Sequence, residues 1–171
     1  MYNDEFRRLM SEMYKFSSKL SLLKKVTGES PARCFELPLA VTNLDMKTGE
    51  KLLDVGAGGS CFGLFMMIRK KVNVTVLDVD AKVMVNKKYL ENLGMMTQPI
   101  KERFSIIDRP KDEIKERVYQ FQNGRFTVEV CDARKMNFPD STFDAISYIS
   151  SIEHIPDNGD IIAIKEASRC L

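Results

Sequence analysis

Leu52-Leu53-Asp54-Val55 runs without a break into Gly56-Ala57-Gly58-Gly59-Ser60, and few folds accept that join. A short apolar run suits a strand buried on both faces, and the glycines after it permit a tight turn with positive φ. Phe62 through Lys70 then reads as a helix with Leu64, Phe65 and Ile68 on its buried side. Val72, Val74, Val76 and Leu77 form a β-branched strand ending at Asp78, and Ala81 to Leu93 is again helical in pattern. Strand, glycine loop, helix, strand, helix is a βαβ unit, which implies a parallel sheet and a right-handed crossover.

The same rhythm returns nearer the C-terminus. Phe126 to Cys131 reads as a third strand ending at Asp132, and a loop with Pro139-Asp140-Ser141 leads to a fourth, Phe143 to Ile149. Ile161 to Leu171 is helical in pattern. Residues 95–124 interrupt this order, with charges of both signs crowded between Lys101 and Arg117. There Pro110 can start a helix in which Ile114, Val118 and Phe121 share a face, closed by Asn123-Gly124. We read the segment as an inserted helix on the rim of the sheet. At the N-terminus Phe6, Leu9, Met13, Phe16, Leu20 and Leu23 recur at helical spacing until Thr27-Gly28-Glu29-Ser30-Pro31 breaks the pattern. That helix is expected to pack on the domain, with a lid or a partner-binding helix as the alternatives. The expected fold is α/β: a Rossmann-like doubly wound parallel sheet over 49–171, with an N-terminal helical extension over 1–48.

Composition narrows the function classes. A net charge of only +2, with signs mixed along the 171 residues, argues against a nucleic-acid binder. No stretch approaches the ~20 apolar residues that span a bilayer, and the acidic, polar start is unlike a signal peptide. The four cysteines are widely spaced, so neither a metal centre nor a disulfide framework is expected, and a reducing cytoplasmic setting is.

Ligands of open parallel sheets collect at the carboxyl ends of the strands, near the switch in strand order. Here those ends carry Asp54 with Gly56-Ala57-Gly58, then Asp78, then Asp132. Glycines let a ligand approach the backbone without meeting a Cβ. A carboxylate at Asp78 can accept both hydroxyl hydrogens of a ribose, and one at Asp132 can accept from an exocyclic amine such as that of adenine. A dinucleotide-binding domain is the competing reading. It would need a third glycine at position 61, which is Cys61. Asp54 also sits poorly beside a pyrophosphate but suits a ligand that carries an ammonium and a sulfonium.

Lys51 through Gly59 resembles the first motif of class I S-adenosylmethionine-dependent methyltransferases, and Val74 to Asp80 resembles their second-strand acidic motif. Val128 to Arg134 and Asn137 to Ile146 are similar to the family's next two strands and the loop between them. Ser151 to Asp157 and Glu166 to Leu171 resemble the segments beyond the fourth strand in its small-molecule branch. The resemblance implies S-adenosylmethionine as cofactor, with Asp54, Gly56, Ala57 and Gly58 around the methionine part. It implies Asp78 at the ribose, Val79 beside the adenine, and Asp132 with Ala133 at the adenine edge. Ser60 stands where many members have a glycine, which is tolerable only at negative φ. The family pattern continues beyond Leu171 with further strands, so the sheet is expected to lack its last strands and to leave its fourth as an edge.

Glu153 and His154 come after the fourth strand, where the family places substrate or base residues. His154, the one histidine of the chain, has the chemistry to take a proton from a hydroxyl or amine. The alternative is a purely local role for both. The expected activity is methyl transfer to a small molecule. A non-catalytic module that binds cofactor or a partner is the alternative.

Overall fold

The computed structural model describes residues 4–19, 33–85, 89–90, 101–104, 114–121 and 124–171. In chain order these form α1 (Asp4–Lys19), α2 (Arg33–Asn43), β1 (Lys51–Val55), α3 (Phe62–Lys70) and β2 (Asn73–Asp78). Then come β3 (Lys101–Phe104), β4 (Ile114–Phe121), β5 (Gly124–Val130), β6 (Ala145–Tyr148) and α4 (Gly159–Cys170). One six-stranded sheet has the order β3-β4-β5-β2-β1-β6. β5, β2, β1 and β6 run parallel, whereas β4 is antiparallel to both β3 and β5. After β1 the chain steps outward to β2 and β5, then returns to the other side of β1 for β6. The switch in strand order therefore lies beside β1, at the glycine loop.

β1 lies between β2 and β6 and is buried on both faces, which is why its sequence reads as a continuous apolar run. On one face Leu52, Val74, Val76, Phe126 and Val128 meet α3, with Met13 of α1 and Val41 of α2 in the same core. On the other, Leu53, Val55 and Leu77 meet Ala167 and Cys170 of α4. Gly63 lets α3 come this close, since a Cβ there would stand 2.6 Å from Val76 Cγ1 and 3.1 Å from Val74 Cγ1. Filling that position would cost about 1–3 kcal/mol in overpacking. Lys71, left-handed at φ 57°, ends α3 by donating its N–H to Met67 O.

α1 packs as its apolar stripe requires. Phe6 and Met13 are buried, Phe16 meets the Phe65 ring edge-on at 5.4 Å, and Arg69 Nε reaches Glu12 at 3.1 Å. Leu20 and Leu23 lie outside the described residues. The helix expected over Ala81 to Leu93 is a 3-10 turn at Ala81–Val85 with helical backbone at Tyr89 and Leu90, and its remainder is likewise outside them.

The helix expected within residues 95–124 is corrected. The described part of that segment is strand, β3 and β4, and it extends the sheet past β5. The helical spacing of Ile114, Val118 and Phe121 competes with a period of two, and the sheet decides for the latter. Tyr119, opposite Phe126, is fully buried; Phe121, opposite Gly124, is half-buried and stacked on Tyr119 at 6.3 Å. Asn123-Gly124 between two such runs is a hairpin signal rather than a helix stop.

Candidate cofactor and active site

The glycine loop is built from backbone. Gly56 and Ala57 both donate their N–H groups to Leu77 O, at 2.8 and 3.1 Å, which ties the loop to the end of β2. Gly56 (φ +69°) and Gly58 (φ +50°) hold left-handed conformations that other residues adopt only with strain. Ser60 is not among the residues of positive φ. Its Oγ instead accepts the Phe62 N–H at 3.1 Å and supports the first turn of α3, so serine is tolerated there. Tyr89, also buried, donates its hydroxyl to Gly59 O at 2.7 Å.

Asp78 is fixed by two backbone amides. Its Oδ2 accepts from Gly58 N and its Oδ1 from Asp80 N, both at 2.8 Å. Each oxygen keeps a lone pair, the number that a vicinal diol needs. Asp132 is fixed differently. Arg134 donates its backbone N–H and Nε to Oδ1 at 2.9 and 3.0 Å. Its Nε and Nη2 also reach Oδ2, at 3.1 and 2.7 Å. Those bonds hold the Asp132 carboxyl below its ordinary range and the Arg134 guanidinium above its own.

Asp54 stands beneath the loop. It is 2% exposed, lies opposite Ser147 across the β1–β6 ladder, and accepts the Ser147 hydroxyl at 2.8 Å. Ser151 closes the loop from the far side. Its Oγ donates to Val55 O at 2.8 Å, and its Cβ fills the space where any side chain on Gly56 would go. Ser150 before it is left-handed at φ 47°, so the chain turns sharply from β6 over the glycine loop.

These elements enclose a cavity of about 260 Å³ at the carboxyl ends of β1, β2, β5 and β6. Gly56, Asp78, Val79, Asp132 and Ala133 line it, as do Arg134, Tyr148, Ser151 and His154. Asp54, Ala57, Gly58 and Glu153 are not in its wall. Glu153 lies beside His154, 3.8 Å from Oε1 to Nε2, and both side chains are largely exposed. The Tyr148 hydroxyl donates to Ala163 O at 3.1 Å, and burial pushes its pKa up to about 12. A larger polar groove of about 470 Å³ involves Lys51, Asn73, Thr75, Arg125 and Thr127, with none of the strand-end aspartates. The smaller cavity is the better candidate, because the fold's switch point and its strand-end carboxylates meet there. Among the described residues no group of three or more His, Cys, Asp or Glu could hold a metal. None of the helices described is long and apolar enough to cross a membrane.

Sequence reasoning missed Ser147, Ser151 and Arg134. The serines reach their partners across 93 and 96 residues of chain and leave no local pattern. Arg134, two residues past Asp132, was within reach of a charge-pair argument. The loop that carries Arg134 is latched to α4. Arg169 donates to Phe138 O, Met136 O and Asp140 Oδ1 at 2.7, 3.1 and 2.8 Å, while Glu166 accepts from Met136 N at 3.0 Å.

A family model described as a methyltransferase domain matches residues 53–171. The 27-O-demethylrifamycin SV methyltransferase of Amycolatopsis mediterranei is 25% identical over 129 residues, 75% of this chain and 37% of that protein. Among solved structures, the PH0226 protein from Pyrococcus horikoshii OT3 superposes with a TM-score of 0.56 at 22% identity, over 84% of this chain and 55% of that one. The Haemonchus contortus phosphoethanolamine N-methyltransferase 2, solved with S-adenosyl-L-methionine, gives 0.53 at 18% identity, over 80% of this chain and 25% of that one. The chain thus spans little more than a third of the curated relative's length, and the two structures testify to the fold alone. With the family model matched over residues 53–171, most of this chain, and the glycine loop, sheet order and strand-end carboxylates meeting at one site, the chain belongs to the class I S-adenosylmethionine-dependent methyltransferases.

Proposed function

We propose that this domain transfers the methyl group of S-adenosylmethionine to a small-molecule acceptor at oxygen, nitrogen or carbon. The single observation that supports it best is Asp78. Its carboxylate is pinned by Gly58 N and Asp80 N, faces the cavity, and keeps the lone pairs a ribose needs. The fit extends to the loop, where Gly58 has nothing nearer to a would-be Cβ than Asp78 Oδ2 at 3.8 Å, so a ligand can lie against its backbone. In this reading Gly56, Ala57 and Gly58 form the bed of the methionine part, Val79 covers the adenine, and Asp132 with Ala133 meets its edge. Asp54 works from beneath, a buried carboxylate that favours cationic groups above it.

S-adenosylmethionine supplies a methyl on a sulfonium that is already activated, so the hard chemistry is the cofactor's. The chain's task is to orient an acceptor behind that methyl and to keep water out. His154, at the rim of the cavity, takes the acceptor's proton, and Glu153 beside it stabilises the imidazolium that results. Tyr148 keeps its proton and contributes shape rather than acid–base chemistry. Among the described residues α1 packs into the core and adds none to the cavity wall. The test is calorimetric titration of the chain with S-adenosylhomocysteine, with NAD as control. Micromolar binding of the former alone is expected; equal or preferential binding of NAD would overturn the reading.

A further inference from the structure

The two aspartates of the cavity differ in how much accepting capacity they retain, and the difference lies in Arg134. Both oxygens of Asp132 already receive N–H donors from this one residue. Arg134 is itself held at three points. Its stem crosses the start of α4, where a Cβ on Gly159 would stand 2.5 Å from Ile155 Cγ2 and 2.8 Å from Arg134 Cδ. Its head is forked onto Asp132, and the negative charge of Asp157 adds to its hold on the proton. Further along, the loop is fastened separately by Arg169 and Glu166, at Met136, Phe138 and Asp140.

We propose that Arg134 is a positioning residue that aims the Asp132 carboxylate at the purine edge and makes the site selective for a 6-amino base. The inference rests on the cofactor placement proposed for this cavity. With Oδ1 filled by two donors, and Oδ2 holding one firm bond and one shared one, the ionised carboxylate is left with a single accepting direction. A base that presents an N–H there gains a charge-assisted hydrogen bond. A base that presents a carbonyl at the same place meets oxygen against oxygen. Without the fork only the Arg134 backbone N–H still holds Oδ1, Oδ2 loses its fixed direction, and the selection weakens.

The experiment compares affinities for S-adenosylhomocysteine and S-inosylhomocysteine in the wild type, Arg134→Gln and Arg134→Lys, with a melting curve for each. The wild type should prefer the amino base by about tenfold or more. In Arg134→Gln that ratio should fall about tenfold while the melting temperature moves little. Arg134→Lys, which restores the charge but not the fork, should recover part of the ratio. A purely structural Arg134 would move melting and both affinities together, and that result overturns the proposal. So does a ratio unchanged in Arg134→Gln, or tighter adenosyl binding there. Should the wild type bind neither ligand, the cofactor placement itself fails; binding with a ratio indifferent to Arg134 sinks this inference alone.

Discussion

The ribose corner and the base corner of the cavity are built from the same residue type by opposite means. At Asp78 the carboxylate is held by backbone amides of Gly58 and Asp80, groups that no side-chain substitution removes. At Asp132 it is held chiefly by the Arg134 side chain, with both side chains 39% exposed. Backbone support is insensitive to salt and to mutation elsewhere, whereas a half-exposed ion pair is screened and can be deleted. The first corner is therefore rigid and general, suited to a ribose that any adenosyl ligand presents. The second is adjustable, and it is where selectivity can be set.

Four substitutions or conditions separate the two corners. Asp78→Ala should have the largest effect, weakening S-adenosylhomocysteine by about 1–3 kcal/mol in calorimetry, since charge-assisted bonds to both hydroxyls go. Unchanged affinity would mean that the ribose lies elsewhere. Gly56→Ala comes second, because its new Cβ runs into Ser151 and the φ of +69° adds strain. A stability loss of about 1–3 kcal/mol in denaturant unfolding is expected. Ser151→Gly in the same chain should return part of that loss, and no recovery would deny that Ser151 is what closes the loop.

Third comes the pH dependence of stability. The Asp132 carboxyl sits below its unfolded value because of Arg134, so its stabilising contribution is complete above an unfolded pKa of about 3.9 and is lost as pH falls through the lower folded value. The stability gap between wild type and Arg134→Gln should accordingly close on acidification and stay constant near neutrality. A gap that widened in acid would contradict the pairing. The smallest effect belongs to Asp80→Asn. Its bridge to Lys82 at 3.1 Å is exposed, and its backbone N–H, the part that serves Asp78, is retained. Cofactor affinity should be unchanged within error, and a marked loss would show that the Asp80 carboxylate supports the ribose corner after all.

Local patterns carried the parallel half of the sheet into view. α3 spans the residues its apolar spacing indicates, and β1, β2, β5 and β6 each lie within a residue or two of their apolar runs. The strand-end aspartates were legible for the same reason, since parallel strands of a βαβ unit all present their carboxyl ends to one side. The β3–β4 pair was not legible, because Ile114, Val118 and Phe121 satisfy a helical spacing by coincidence. Only pairing with β5, which buries Tyr119, decides between the two periods. α2 carries Pro38 inside it, a residue that argues against a helix when read alone. Asp54 shows the limit most clearly. Its position before the glycines was evident, but its burial beneath the loop and its bond to Ser147, 93 residues away along the chain, were not.

The most direct measurement is a titration of the isotopically labelled chain with S-adenosylhomocysteine, monitored by backbone amide chemical shifts. Cofactor bound at the strand-end aspartates predicts large shifts at Gly56, Gly58, Val79, Ala133 and Arg134, with α1 left unmoved. Shifts gathered instead around Asn73, Thr75 and Thr127, in the polar groove, would contradict it.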